Sequence, residues 1–146
     1  MTRILCLGDS ITDCGRLFSA DPLGKGYVKQ LSCLLHNTDH RFSIENRGID
    51  GFTLERLLQN TDFWLESSDP DIVTVLIGIN DVGIMMNTRR SSAQQQDLMN
   101  KFVTRYELLA KKLSCTNSRK PLGDIMAEKS HCSLVVFPGP QIWKTV

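Results

Sequence analysis

The sequence predicts an α/β domain: a parallel sheet with helices on both faces. Three observations predict it. Two short apolar runs, Ile4–Leu7 and Ile72–Ile77, each end in a glycine, as strands buried on both faces do. Stretches with apolar residues at helical spacing separate and follow them. The alternation of strand and helix favours parallel pairing over hairpins.

A chain of 146 residues makes a single domain, 1–146, long enough to bury a core. Net charge is +1, from 17 basic and 16 acidic residues, with no basic stripe or acidic tail, so nucleic acid is not an expected partner. The N-terminal apolar run is too short for a signal peptide and no stretch is long enough to span a bilayer. The expectation is a cytoplasmic protein without membrane contact. The five cysteines, Cys6, Cys14, Cys33, Cys115 and Cys132, are odd in number and form no C-x-x-C, which indicates neither a disulfide framework nor a zinc site. Cys6 and Cys33 lie in apolar patterns and read as small core residues.

The first strand, Ile4–Leu7, runs into Gly8, Asp9 and Ser10. Gly8 permits a tight exit, and the polar pair then lies past the strand's C-terminal end, where ligands bind in open parallel sheets. A serine there is a nucleophile if a base reaches it; taken alone, G-D-S also reads as an ordinary turn or helix cap. A loop, 12–25, borders that position. Gly26–His36 reads as a helix with Tyr27, Val28, Leu31, Leu34 and Leu35 on one face, and Asn37–His40 as a turn. Phe42–Glu45 is a short second strand. The turn Asn46–Thr53, N-R-G-I-D-G-F-T, carries two glycines, which implies special backbone angles or a close approach.

Thr53 is the expected N-cap of a helix to about Leu65, with Leu54, Leu57, Leu58 and Trp64 inward. Pro70 ends it. Asp71–Ile77 is the clearest strand, β-branched and apolar, and Gly78, Ile79, Asn80 and Asp81 follow. Val82–Arg90 reads as a loop, in which Met85 and Met86 either pack on the sheet or line an apolar pocket. Ser92 with Gln95 suits a capping box for a long helix to about Leu113, with Leu98, Phe102, Tyr106, Leu109 and Leu113 inward. Beyond Ser114 the pattern weakens, with a fourth strand over Leu134–Phe137.

G-D-S-I-T, the double-glycine turn and G-I-N-D, in that order and each after its apolar segment, resemble the GDSL-type serine esterases, the SGNH hydrolase family. The resemblance covers residues 1–113, with 114–146 a divergent tail. It implies a three-layer α/β/α, flavodoxin-like parallel sheet, here incomplete at its C-terminal end. It implies hydrolysis of small acyl or acetyl esters without cofactor or metal. Ser10 matches the nucleophile; the Gly51 N–H and the Asn80 amide match the oxyanion donors, with the Ser10 N–H a third. Asp9 and Asp81 read as supporting residues that hold their loops. The family's base comes from an Asp-x-x-His motif, which this sequence lacks. His36 and His40 flank the turn before the second strand and belong at the opposite sheet edge; His131 is a weak candidate. Two readings follow: an esterase with weak or no turnover, and an inactive relative that binds an acyl or carbohydrate ligand or a partner chain. A nucleotide binder is disfavoured, because the first loop is no phosphate-cradling glycine pattern. A sheet missing an edge strand exposes apolar surface, so self-association is a further expectation.

Overall fold

The computed structural model describes residues 1–38, 41–87, 89–115 and 135–136. Strands β1 (Thr2–Gly8), β2 (Phe42–Gly48), β3 (Ile72–Leu76) and β4 (Val135–Val136) form one sheet in the order β2-β1-β3-β4. All the pairings are parallel. The helices are α1 (Ser10–Asp13), α2 (Tyr27–Thr38), α3 (Leu54–Ser68), α4 (Ile79–Met85) and α5 (Ser92–Cys115), with a 3₁₀ turn at Arg16–Phe18.

β1 lies between β2 and β3, and its side chains alternate between two cores as the period of a strand requires. Ile4 and Cys6 join Val28 of α2, with Leu23, Tyr27, Leu35, Phe42, Ile44 and Ile72 packed around them. Leu5 and Leu7 join Val73, Val75, residues of α3 and Leu109 and Leu113 of α5 on the opposite face. The result is the expected three-layer α/β/α sandwich. The chain leaves β1 for β2 on one side and later returns to β3 on the other. Such a reversal of strand order opens a crevice at the C-terminal ends of the strands.

Several local expectations shift. β2 continues three residues beyond Glu45, because Asn46, Arg47 and Gly48 stay in register with Cys6, Leu7 and Gly8. The loop after β1 begins as helix α1, and the segment after β3 as helix α4 rather than a loop. In α4 Met85 is buried and Met86 is 70% exposed, so only the first packs inward. On α2 Leu34 is 65% exposed and Cys33 is exposed as well. At 100° per residue these two lie about 120° and about 140° around the helix from buried Val28, off the stripe that faces the sheet. The capping box of α5 sits one residue earlier than expected. The Ser91 N–H donates to Gln94 Oε1 (2.9 Å), and the Gln94 N–H donates back to Ser91 Oγ (3.3 Å). α5 otherwise turns its expected stripe inward: Leu109 and Leu113 are buried, while Leu98, Phe102 and Tyr106 are half-buried. Apart from residues 114, 115, 135 and 136, the tail lies outside the described residues. Among the described residues no helix is long and apolar enough to cross a membrane.

Candidate active site

Three loops meet at the C-terminal edge of the sheet, one from each of the adjacent strands β2, β1 and β3. The β1 loop begins at Gly8. A Cβ there would collide with the Leu76 carbonyl oxygen of β3 and with the Thr12 hydroxyl, so only glycine lets the strand end close against its neighbours. Asp9 is 1% exposed and caps α1: its Oδ1 accepts from the Ile11 N–H at 3.0 Å. Its carbonyl accepts from Thr12 and Asp13 at 3.1 and 2.9 Å. Ser10 is therefore held in the first turn of a capped helix, half-buried at the strand exit.

The β2 loop is tied to the first by the Ile49 N–H, which donates to the Gly8 carbonyl at 3.1 Å. A tight turn follows, closed by the Phe52 N–H on the Ile49 carbonyl (3.2 Å), with Gly51 third at φ +71°. That backbone angle requires glycine or a strained substitute. No heavy atom lies within 4 Å of where a Gly51 Cβ would stand, so the space beside this N–H is open.

The β3 loop grips the second loop twice. Asn80 Nδ2 donates to the Phe52 carbonyl at 2.9 Å, and Asp81 Oδ2 accepts from the Leu54 N–H at 2.9 Å. An amide nitrogen carries two hydrogens, so this bond orients the Asn80 side chain and leaves one N–H to offer. Asp81 also takes the capping position expected of Thr53, whose side chain makes no cap bond. Thr53 has the extended backbone of an N-cap, but the first N–H of α3 is satisfied by a carboxylate from the neighbouring loop.

The electrostatics of this edge are those of carboxylates withdrawn from water. Burial pushes the Asp9 carboxyl above its ordinary range; its backbone hydrogen bonds oppose this, and the Asp50 charge adds to it. Burial likewise raises Asp81, opposed by the Leu54 N–H and by Arg105. The Asp9 charge adds to the rise at Asp81.

A family model described as GDSL-like lipase/acylhydrolase matches residues 6–139 of this chain. The chain belongs to that family. The match runs past Leu113, where the motif resemblance stops. An acetylxylan esterase of Geobacillus stearothermophilus is 39% identical over 87 residues, which cover 55% of this chain and 40% of that protein. The crystal structure of the acetylxylan esterase Axe2 from the same organism superposes with a TM-score of 0.65 at 29% identity, covering 77% of this chain and 54% of its own. A putative GDSL-like lipase from Parabacteroides merdae gives a TM-score of 0.63 at 26% identity, over 79% of this chain and 54% of its own. The chain thus spans about half the length of these relatives or less. Solved structures of catalytic mutants of Axe2, with a serine, an aspartate or a histidine changed to alanine, match as well.

In this GDSL-family chain the loops bring Ser10, Gly51, Asn80, Asp9 and Asp81 to one edge, and no histidine joins them among the described residues. His36 is exposed near the end of α2, six residues before the start of β2, and its Nδ1 contacts the Ser32 carbonyl at 2.8 Å. That is the far edge of the sheet. His40 and His131, the weak candidate for a base, lie outside the described residues. Among the described residues no cluster of three or more His, Cys, Asp or Glu side chains is placed to hold a metal. The sequence reading missed Asn46 and Arg16 at the β1–β2 junction. A polar residue continuing an inward-facing strand pattern was the available signal for Asn46.

Proposed function

We propose that this chain is a serine carboxylic-ester hydrolase acting on small acyl esters, acetyl esters of carbohydrate first among them. The observation that carries the reading is the convergence of the Ser10, Gly51 and Asn80 loops at one edge of the sheet, in the family's order. Ser10 Oγ attacks the ester carbonyl carbon, forming a C–O bond and a tetrahedral oxyanion. The N–H groups of Ser10 and Gly51 and the Asn80 amide are the donors for that oxygen; losing one donor of such a set costs about 100- to 1,000-fold in rate. Collapse breaks the bond to the alcohol, which leaves with a proton, and water then releases the acid from the acyl-serine. The alcohol's proton and the activation of Ser10 require a base. Support for an acetyl substrate comes from the acetylxylan esterases to which the chain is similar.

A second reading is a hydrolase fold that binds an acyl or carbohydrate ligand, or a partner chain, without turnover. It requires no base, whereas the esterase reading does, and no Asp-x-x-His motif occurs within these 146 residues. Hydrolysis of p-nitrophenyl acetate by the chain beside its Ser10→Ala variant separates the two. A wild-type rate clearly above the variant supports the esterase. A serine site stripped of triad members retains roughly 1,000- to 10,000-fold catalysis over water through its oxyanion donors and binding alone. Equal rates rule the esterase out and leave the binding reading.

A further inference from the structure

We propose that Asn46 is a positioning residue that sets the nucleophile loop against the oxyanion loop; the inference deepens the esterase reading and rests on it. Asn46 is 3% exposed at the end of β2, paired in register with Cys6. Its side chain makes three hydrogen bonds. Nδ2 donates to the Thr12 carbonyl and to the Leu23 carbonyl, both at 2.8 Å, and Oδ1 accepts from the Gly48 N–H at 2.9 Å. Each partner is a backbone group of the β1 loop or of the β2 end. Thr12 is two residues after Ser10, Leu23 closes the loop that follows, and Gly48 begins the path to Gly51.

The junction is as close as backbones allow. A Cβ on Gly48 would overlap the Asp13 amide nitrogen and the Thr12 carbonyl carbon, so α1 rests directly on the end of β2. On the outer side Arg16 Nη2 donates to the Gly48 carbonyl at 2.7 Å, while Arg16 Nε lies 3.6 Å from Asp13 Oδ1. Gly48 is thus held through its N–H by Asn46 of its own strand and through its carbonyl by Arg16 of the nucleophile loop.

A buried amide costs stability unless its groups are satisfied, and an apolar side chain would fill a strand end without that requirement. What the amide adds is a fixed spacing between three backbone segments. Reaction at Ser10 depends on that spacing, because the attacked carbonyl must sit between Ser10 Oγ and the Gly51 N–H. A displacement of about 1 Å in such a site costs on the order of 100-fold. Asp9 caps its own helix and Asp81 ties the β3 loop to the start of α3, whereas Asn46 ties the nucleophile loop to the oxyanion loop.

The test is Asn46→Asp, which keeps the shape and removes both donors, with Asn46→Ala beside it. Two readouts are taken on folded protein: the backbone amide resonances of Ser10 and Gly51, and the rate of Ser10 labelling by a fluorophosphonate. The expected result is that both resonances move together and labelling slows at least about tenfold. Unmoved Ser10 and Gly51 resonances overturn the proposal, as does unchanged labelling by a wild type that is itself labelled. If wild type is labelled no faster than Ser10→Ala, the esterase reading fails, while the resonances still decide what Asn46 positions. If neither Asn46 variant folds, Arg16→Gln, which loses the guanidinium bond to Gly48, is read the same way. Movement of both amides supports the junction as the positioning device; fixed amides overturn it.

Discussion

The two flanks of Ser10 are built differently. On the β2 side the backbone of α1 lies against Gly48, and a buried amide and a guanidinium fill the junction. On the β3 side the Gly51 turn is open: Gly51 has free space beside it, and α4 exposes Ile79, Val82 and Ile84. Two hydrogen bonds, from Asn80 and to Asp81, hold that side. The contrast separates two tasks of one edge. Ser10, the nucleophile proposed above, is fixed from beneath by packing that admits no extra atom, while Gly51 and Asn80, the proposed oxyanion donors, are held from the side with open space beside Gly51.

Two glycines three residues apart give the sharpest way to break this comparison. Gly48→Ala puts a methyl group into the Asp13 backbone, and the expected destabilisation is about 3 kcal/mol, with partial loss of folding. Gly51→Ala meets no atom and carries only the strain of a positive φ, about 1 kcal/mol. For a chain of this size each kcal/mol lowers Tm by about 2–4 °C, so calorimetry of the two variants decides. Equal melting shifts would mean that the β1–β2 junction relaxes and is not the rigid flank.

A smaller effect is expected at the cap of α3. Asp81→Ala removes the acceptor of the Leu54 N–H and costs about 1 kcal/mol. Thr53→Ala, at the nominal N-cap, stays within about 0.5 kcal/mol because its side chain makes no cap bond. Urea denaturation of the pair checks the ranking; a larger loss at Thr53 would return the cap to the local residue.

The smallest effect is in pH dependence. Burial raises Asp9 and Asp81 in the folded state, so between the unfolded and folded pKa values the native chain holds more protons than the unfolded one. Stability therefore falls as pH rises through that interval, opposite to the behaviour of a salt-bridged carboxylate. Asp9→Asn keeps an acceptor for the Ile11 N–H and is expected to flatten this decline. A urea midpoint series across the acid range measures it, and an unchanged slope would show that burial at Asp9 is not its source.

The strands were legible because their signal is local. β1 and β3 are apolar runs ended by glycine, and the inward stripe of α5 follows from its spacing. The capping box of α5 was legible in kind but slipped by one residue, because Ser91–Ser92 and Gln94–Gln95 offer two equivalent registers. α4 leaves no helical signal in the sequence, because seven residues interrupted by Gly83 carry too little periodicity. The apolar pattern of α2 points Leu34 and Cys33 inward, but the position of Val28 against the sheet turns them out.

By itself, then, the sequence determined the alternation of buried strands and amphipathic helices, and the order of three glycine-bearing loops beyond them. These depend on residues near one another in the chain, so periodicity and composition record them. Tertiary structure decided which groups meet: that Asp81 rather than Thr53 caps α3, and that Asn46 extends β2 to bond with Thr12. Those hydrogen bonds join residues 27 and 34 positions apart. Their partners are backbone groups, identical at every position, so no pattern of side chains marks where they lie until the sheet sets β2 and β3 on either side of β1.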